Sequence, residues 1–396
     1  MDLFDKCRQF AHDHQLRRAE ADGVYPYFIP FEDSDGTEVI FQGRSVLMMG
    51  SNNYLGLTTD LRVQEAAAKA VKRYGTSCTG SRFLNGTLAL HCELESRLAT
   101  FVAKETALLF STGYQVNLGV ISSLVGRSDV VIADKEAHAS TIDGCRLSAG
   151  ELRRFPHNDV EDLDRILNSV KNGAGKLVIV DGVYSMGGDI APLPPLIEIC
   201  QRQGARLMVD DAHSFGVLGH GRGTAAHFGV TDQVDLIMGT FSKSFASIGG
   251  FIAGDHEVLH FIQHHARPLI FSASLPASNV AAVLKALEII ETEPERVQQL
   301  WKNAERMRAG LKKLGFNVGD STTPIIPIII GDDSRTFAAW AQCFEAGLYV
   351  NAVVSPAVPV GSSLLRTSYM ATHTDEQLDR ALQILGDVGR KLQLIH

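Results

Sequence analysis

Between residues 50 and 275 the chain alternates two hydrophobic rhythms. Short unbroken apolar runs, at 107–110, 130–132, 177–180, 207–209 and 236–238, are separated by amphipathic stretches. In those stretches, as at 161–170 and 193–203, apolar positions recur at helical spacing. The alternation predicts a mostly parallel sheet covered by helices on both faces. The flanks read differently. Residues 3–21 carry a helical pattern, followed by an irregular or hairpin stretch with Pro26, Pro30 and Asp35-Gly36 as turn signals. From 277 to about 314 runs a long helical stretch rich in Ala, Glu, Leu, Lys and Arg, which reads as a connector. Beyond it, strand candidates at 324–330, 349–354 and 364–368 and helices at 334–346 and 375–392 form an α+β layer. Residues 269–271 are a further strand candidate, and Gly219–Gly223 reads as a loop with no helix after it. The pattern predicts three segments: helix and hairpin over 1–48, a large α/β domain over 49–275, and connecting helix plus small α+β domain over 276–396.

Composition narrows the class. The chain has 396 residues, 45% hydrophobic and 21% charged, enough for a sizeable core. A net charge of −8 argues against nucleic acid as the main partner, while leaving room for a local basic patch. No apolar run reaches the roughly 18 residues that span a bilayer. The start, Met-Asp-Leu-Phe-Asp-Lys, lacks the layout of a signal peptide. Six cysteines (7, 78, 92, 145, 200, 343) are scattered without a CxxC pair, so they are expected reduced and buried, in a cytoplasmic protein with no metal site.

Four segments carry candidate chemistry. Gly239-Thr240-Phe241-Ser242-Lys243 follows the run ending at 238, which places an amine at the carboxyl edge of a parallel sheet, where open α/β folds bind ligands. Thr240 and Ser242 can donate to a phosphate. An exposed lysine after a strand is the ordinary reading of that motif alone. Upstream, Leu207-Met208-Val209-Asp210-Asp211-Ala212-His213 ends an apolar strand in an acid, with a histidine following. Pyridoxal phosphate (PLP) needs an acid against its pyridine nitrogen and a donor to its phenolic oxygen; Asp210 and His213 suit these roles. Taken singly, a turn-capping aspartate and a core histidine would account for them, but with Lys243 the cofactor accounts for all three. Ser111-Thr112-Gly113-Tyr114 opens a helix after a strand and can present free N–H groups to a phosphate, although a plain helix cap fits the same residues. Finally, His138 in Asp134-Lys135-Glu136-Ala137-His138 is placed either to stack on the ring or as a loop histidine.

These segments, in this order, resemble the α-oxoamine synthases, a branch of the fold-type I PLP-dependent transferases. The resemblance runs from about 40 to 390. It includes Gly50-Ser51-Asn52-Asn53-Tyr54-Leu55-Gly56, Gly80-Ser81-Arg82-Phe83-Leu84-Asn85-Gly86-Thr87, Asp181-Gly182-Val183-Tyr184-Ser185-Met186-Gly187-Gly188-Asp189 and Leu364-Leu365-Arg366. It implies that Lys243 carries the cofactor as an imine and later moves protons, that Asp210 pairs with the pyridine nitrogen, and that His213 and Ser185 serve the phenolic oxygen. It further implies that His138 stacks on the ring and touches the substrate carboxylate. Gly113, Tyr114, Thr240 and Ser242 fall at the phosphate, with Ser272 contributed by the partner subunit of a homodimer, and Asn53 and Arg366 grip the amino-acid carboxylate.

Within the family, 155–164, 267–271 and 347–351 resemble the soluble bacterial branch that joins L-serine to a long acyl thioester on coenzyme A or a carrier protein. The loop Pro356-Ala357-Val358-Pro359 departs from that branch, which carries threonine at the third position. The expected reaction is a decarboxylative condensation giving 3-ketosphinganine, the entry to sphingolipid synthesis, without a transmembrane segment and compatible with peripheral membrane contact for product release. A sister enzyme using glycine or alanine is the first alternative. A non-catalytic PLP-binding module is the second, against which the intact Lys243, Asp210 and Arg366 argue.

Overall fold

The structure is a computed structural model and describes residues 2–13 and 15–395. The chain divides into two compact units, residues 52–301 and residues 1–51 with 302–396.

The larger unit is built on a seven-stranded sheet. Its strands in chain order are β1 (Thr106–Phe110), β2 (Val130–Asp134), β3 (Glu151–Phe155), β4 (Lys176–Asp181), β5 (Arg206–Asp210), β6 (Leu236–Thr240) and β7 (Gly250–Gly254). In space they run β1-β7-β6-β5-β4-β2-β3, with β7 antiparallel to both its neighbours and the β6-β5-β4-β2-β3 pairs all parallel. The apolar runs in the sequence are β1, β2, β4, β5 and β6, and β2 and β6 are buried at every position. Helix α1 (Gly113–Leu124) lays Val116, Val120 and Ile121 onto Leu108, Ile252 and Met238 in one core. Helix α2 (Ala139–Leu147) packs close beside it: a Cβ at Gly144 would stand 2.8 Å from the Asn117 carbonyl oxygen.

Two strands are announced less plainly. The edge strand β3 reads ELRRF and buries only Phe155 fully. Strand β7 reads GFIAG, and glycine is depleted in strands in general. Gly250 is needed there, because a Cβ would come within 2.8 Å of both the Gly113 Cα and the Gly239 carbonyl oxygen.

Other expectations are corrected locally. The stretch from 277 to 314 is two helices, Ala277–Thr292 and Pro294–Leu314, because Pro294 starts a new helix at its first position. Residues 269–271 are not a strand: Arg267–Ile270 form a short helix with Pro268 in its first turn. A helix does follow the glycine loop, at Thr224–Phe228, and Gly223 before it has φ 97°, open to glycine at little cost. All six cysteines are free, but only Cys145, Cys200 and Cys343 are buried, with Cys7 and Cys92 exposed and Cys78 between.

In the other unit, the helix expected over 3–21 is met by Asp5–Asp13 and Gln15–Ala21, with residue 14 outside the described residues. The hairpin follows as Glu38–Phe41 and Arg44–Met48, the latter paired in parallel with Leu348–Tyr349. A second sheet joins Ile325–Gly331, Ser363–Ser368 and Asn351–Val353. Helices Asp333–Glu345 and Asp375–Lys391 complete this unit around Trp340, Leu348, Tyr369 and Leu378. Among the described residues no helix is long and apolar enough to cross a membrane.

Candidate active site

A cavity of about 380 Å³ opens at the carboxyl ends of β1, β2, β4, β5 and β6. Each strand end delivers its own chemistry. After β1 come Thr112, Gly113 and Tyr114; after β2, His138 and Ser140; from β4, Asp181; from β5, Asp210 and His213; from β6, Thr240, Ser242 and Lys243. This is where an open α/β sheet binds ligands, because the chain leaves each strand there and the helix N-termini face the gap. A cavity of about 460 Å³ beside Trp301 is larger, but the one at the strand ends gathers the residues singled out by chemistry.

The cradle at β1 has a clear local cause. Thr112 caps α1, its hydroxyl accepting from the Gln115 N–H at 3.1 Å, so the cap and the free N–H groups of the first turn occur together. Gly113 is the only residue type that fits: a Cβ would lie 2.6 Å from Thr240 Oγ1. Thr240 Oγ1 also stands 3.0 Å from Ser242 Oγ and donates to the Gly249 carbonyl oxygen at 3.1 Å. Helix N–H groups plus two hydroxyls around a missing side chain make a phosphate-sized anion cradle. The exposed Tyr114 stands beside it, its hydroxyl donating to Asp143.

Asp210 is buried, and its described partners are neutral donors. Oδ1 accepts from the Ala212 N–H at 3.0 Å and Oδ2 from Asn117 Nδ2 at 2.7 Å. Its described partners thus bring no charge of their own to oppose a cation in the cavity. Next to it in register, the fully buried Asp181 is pushed well above the usual carboxylate range, by burial first and by the Asp210 charge second. Asp181 Oδ1 accepts from the His138 N–H at 3.4 Å, which ties the β2 loop to the β4 end. The His138 pKa is held below its ordinary value by desolvation, with Lys243 adding to the effect and Asp210 opposing it. The buried His213 meets the Tyr54 hydroxyl through Nδ1 at 2.7 Å, which fixes the ring.

An amine, a charged acid with neutral partners, two histidines and an anion cradle in one cavity match the polar groups of PLP: aldehyde, pyridinium, phenolic oxygen and phosphate. The residues present fit that cofactor.

The structure does not bring every expected residue to this cavity. Asn53 is buried, with its amide tied to Thr58 at 2.8 Å, and Ser185 lies in the turn after β4; neither lines the cavity. Ser272 accepts from Gln115 Nε2 at 3.0 Å, beside the first turn of α1. Arg366 belongs to the other unit, buried in Ser363–Ser368 with Nη1 3.5 Å from Ser368 Oγ. Conversely, Asn117, Ser140, Tyr54 and Asp181 went unassigned in the sequence. The signal for Asn117 was available: it is a polar residue on the apolar face of α1, between Val116 and Val120. Its Oδ1 is buried without a hydrogen-bond partner, a cost of about 1–3 kcal/mol accepted so that both amide hydrogens can be given away.

Comparison with known proteins adds the following. The family model "Aminotransferase class I and II" matches residues 44–385. The chain is 49% identical to a serine palmitoyltransferase of Sphingobacterium spiritivorum, over 98% of this chain and 97% of the relative. It is 42% identical to an 8-amino-7-oxononanoate synthase of Symbiobacterium thermophilum, over 96% of this chain and 98% of that one. Among solved structures, a serine palmitoyltransferase of S. paucimobilis with bound PLP–myriocin superposes with a TM-score of 0.97 at 38% identity, covering 100% of both chains.

Proposed function

The chain belongs to the aminotransferase class I and II family, and from that premise we propose that it is a PLP-dependent acyltransferase joining L-serine to a long-chain acyl thioester. The products are 3-ketosphinganine, carbon dioxide and free thiol, with palmitoyl-CoA as the acyl donor. The observation that carries this reading is the convergence of Lys243, Asp210, His213 and His138 on one cavity. The greater identity to serine palmitoyltransferase, 49% against 42% for the oxononanoate synthase, supports serine over the sister substrates.

Lys243 would hold the cofactor, Asp210 its ring nitrogen, His213 its phenolic oxygen, and Gly113, Thr240 and Ser242 its phosphate. When bound, PLP supplies an electron sink for the pair left at Cα of the amino acid. The protein's own residues do the rest. Lys243 Nζ takes the Cα proton. The new bond joins Cα to the acyl carbon as the thiolate leaves. The carboxylate then departs as carbon dioxide, and a proton returned to Cα completes the ketone. His138 is set to receive the serine carboxylate on the cavity side, and Arg366 and Asn53 are assigned to the same group.

The unit is a homodimer in this reading, with Ser272 of each subunit serving the partner's phosphate site, and it works in the cytoplasm at the start of sphingolipid synthesis. The test is product mass from a panel of amino acids and acyl thioesters. Serine with palmitoyl-CoA should give 3-ketosphinganine; alanine with pimeloyl-CoA, or glycine with acetyl-CoA, as the sole productive pair would overturn the substrate assignment. Sedimentation at low protein concentration, run with activity, tests the dimer: a fully active monomer would refute it.

A further inference from the structure

A continuous chain of hydrogen bonds joins His138 to Asp210 through two residues outside the catalytic set. Ser140 Oγ lies 2.7 Å from His138 Nδ1, Asn117 Nδ2 lies 2.9 Å from Ser140 Oγ, and the same Nδ2 lies 2.7 Å from Asp210 Oδ2. All but His138 are buried. The direction of every bond follows from the ends. At one end the Ser140 backbone N–H donates to His138 Nδ1 at 3.2 Å, so that nitrogen is an acceptor and carries no proton. The Ser140 hydroxyl, sharing the same acceptor, must therefore donate to it. A hydroxyl that donates there is free to accept from Asn117, whose NH₂ holds two hydrogens, one for Ser140 and one for Asp210. At the other end the Ala212 N–H takes the second oxygen of Asp210 at 3.0 Å, so both carboxylate oxygens accept. The unpartnered Asn117 Oδ1 agrees with this polarity: turning the amide over would set that oxygen against the Asp210 carboxylate.

We propose that Asn117 and Ser140 are positioning residues that fix the protons of the site, holding His138 as the neutral Nε2–H tautomer and Asp210 as the bare carboxylate. The consequence rests on the proposed function: His138 then offers an N–H, and not a lone pair, to the substrate carboxylate. The same four-residue chain sets the acid for the cofactor ring, so the two are tuned together. The lowered pKa of His138 agrees with a neutral ring.

The test is long-range ¹H–¹⁵N correlation spectroscopy on PLP-loaded protein labelled at histidine, with the His138 signal assigned by its loss in His138→Asn. Between pH 6 and 8 the wild type should show Nδ1 unprotonated and Nε2 protonated. Ser140→Ala and Asn117→Leu should each give a tautomer mixture and lower kcat for condensation by on the order of tenfold, the scale of lost outer-shell support. Ser140→Thr should restore both. The double variant should fall no further than the worse single, as members of one chain do. An Nδ1–H or doubly protonated His138 in the wild type overturns the proposal, as does a tautomer unmoved in both variants. Should Ser140→Ala fail to fold, the wild-type and Ser140→Thr spectra still decide it. A wild type with the expected tautomer but no condensation would overturn the function and leave this inference standing.

Discussion

Two aspartates end strands of the same sheet on either side of β4, each beside a histidine, and they are used in opposite ways. Asp134, at the end of β2, is buried and meets a cation: Oδ1 lies 3.1 Å from His157 Nδ1, and Oδ2 accepts from the Asn158 N–H at 2.8 Å. The other His157 nitrogen lies 2.9 Å from Asp189. Burial works against charge on that ring, but the hydrogen bonds and charges of Asp134 and Asp189 prevail and raise its pKa to about 10. Asp134 is in turn drawn below the usual carboxylate range, His157 and two backbone N–H groups outweighing burial. Asp210, at the end of β5, is also buried, but its described partners are neutral. The first acid is satisfied and closes a clamp between the ends of β2, β3 and β4. The second is solvated without being neutralised, which suits it to a cationic ring. Residue type and strand-end position do not tell the two apart; the charge of the nearest partner does.

The largest effect that would break this contrast belongs to Lys243. Lys243→Ala should abolish condensation and remove the PLP adduct that borohydride traps on the wild type, while phosphate contacts still retain some cofactor. Mass spectrometry of the trapped protein checks it, and an adduct on another lysine would refute the assignment. Next is Asp210→Asn. Removing one partner of a buried charge pair costs about 3–5 kcal/mol, hence a kcat lower by roughly 10² to 10⁴ at 1.36 kcal/mol per decade. The comparison sharpens if Asp134→Asn does the reverse, lowering the melting temperature more than the rate. Equal rate losses in both variants would show that the two acids are not divided as their partners suggest.

How much of this was legible follows the same line. The central strands, buried on both faces, announce themselves as apolar runs, and Lys243, Asp210, His213 and His138 sit at their ends where the motifs placed them. The edge strand β3 was hidden by its arginines, and β7 by its glycines, of which Gly250 is demanded by the close approach of α1. The residues that orient the others were harder still. Tyr54 meets His213 across 159 positions of chain and Asn117 meets Asp210 across 93, separations at which no local period carries information. The assignments of Arg366 and Ser272 came from family resemblance, not from pattern.

A smaller effect is expected at the cradle. Gly113→Ala sets a methyl 2.6 Å from Thr240 Oγ1, and Thr240 is held in turn by Gly249. Overpacking of this kind costs about 1–3 kcal/mol, which should weaken PLP binding by roughly tenfold to a hundredfold. A fluorescence titration of the apoprotein with PLP measures it. Unchanged affinity would place the phosphate elsewhere than against α1.

The smallest effect tests the clamp through pH. His157 has a folded-state pKa of about 10, against an ordinary value near 6.5. A raised pKa means the folded form binds the proton more tightly. The stabilisation is therefore complete below about pH 6.5 and is lost as pH rises towards 10. His157→Gln keeps a hydrogen-bonding side chain but removes the charge, so it should lose about 1.5–3 kcal/mol, the worth of hydrogen bonds to a charged group. That is a fall of a few degrees in melting temperature at pH 6.5. The gap between variant and wild type should close steadily between pH 7 and 10, because the wild type gives up its advantage while the variant has none to lose. A gap constant across that range would mean that His157 is neutral and merely fills space against the Tyr184 ring, whose centroid is 4.2 Å away. The contrast between a neutralised and an available aspartate would then lose its charged half.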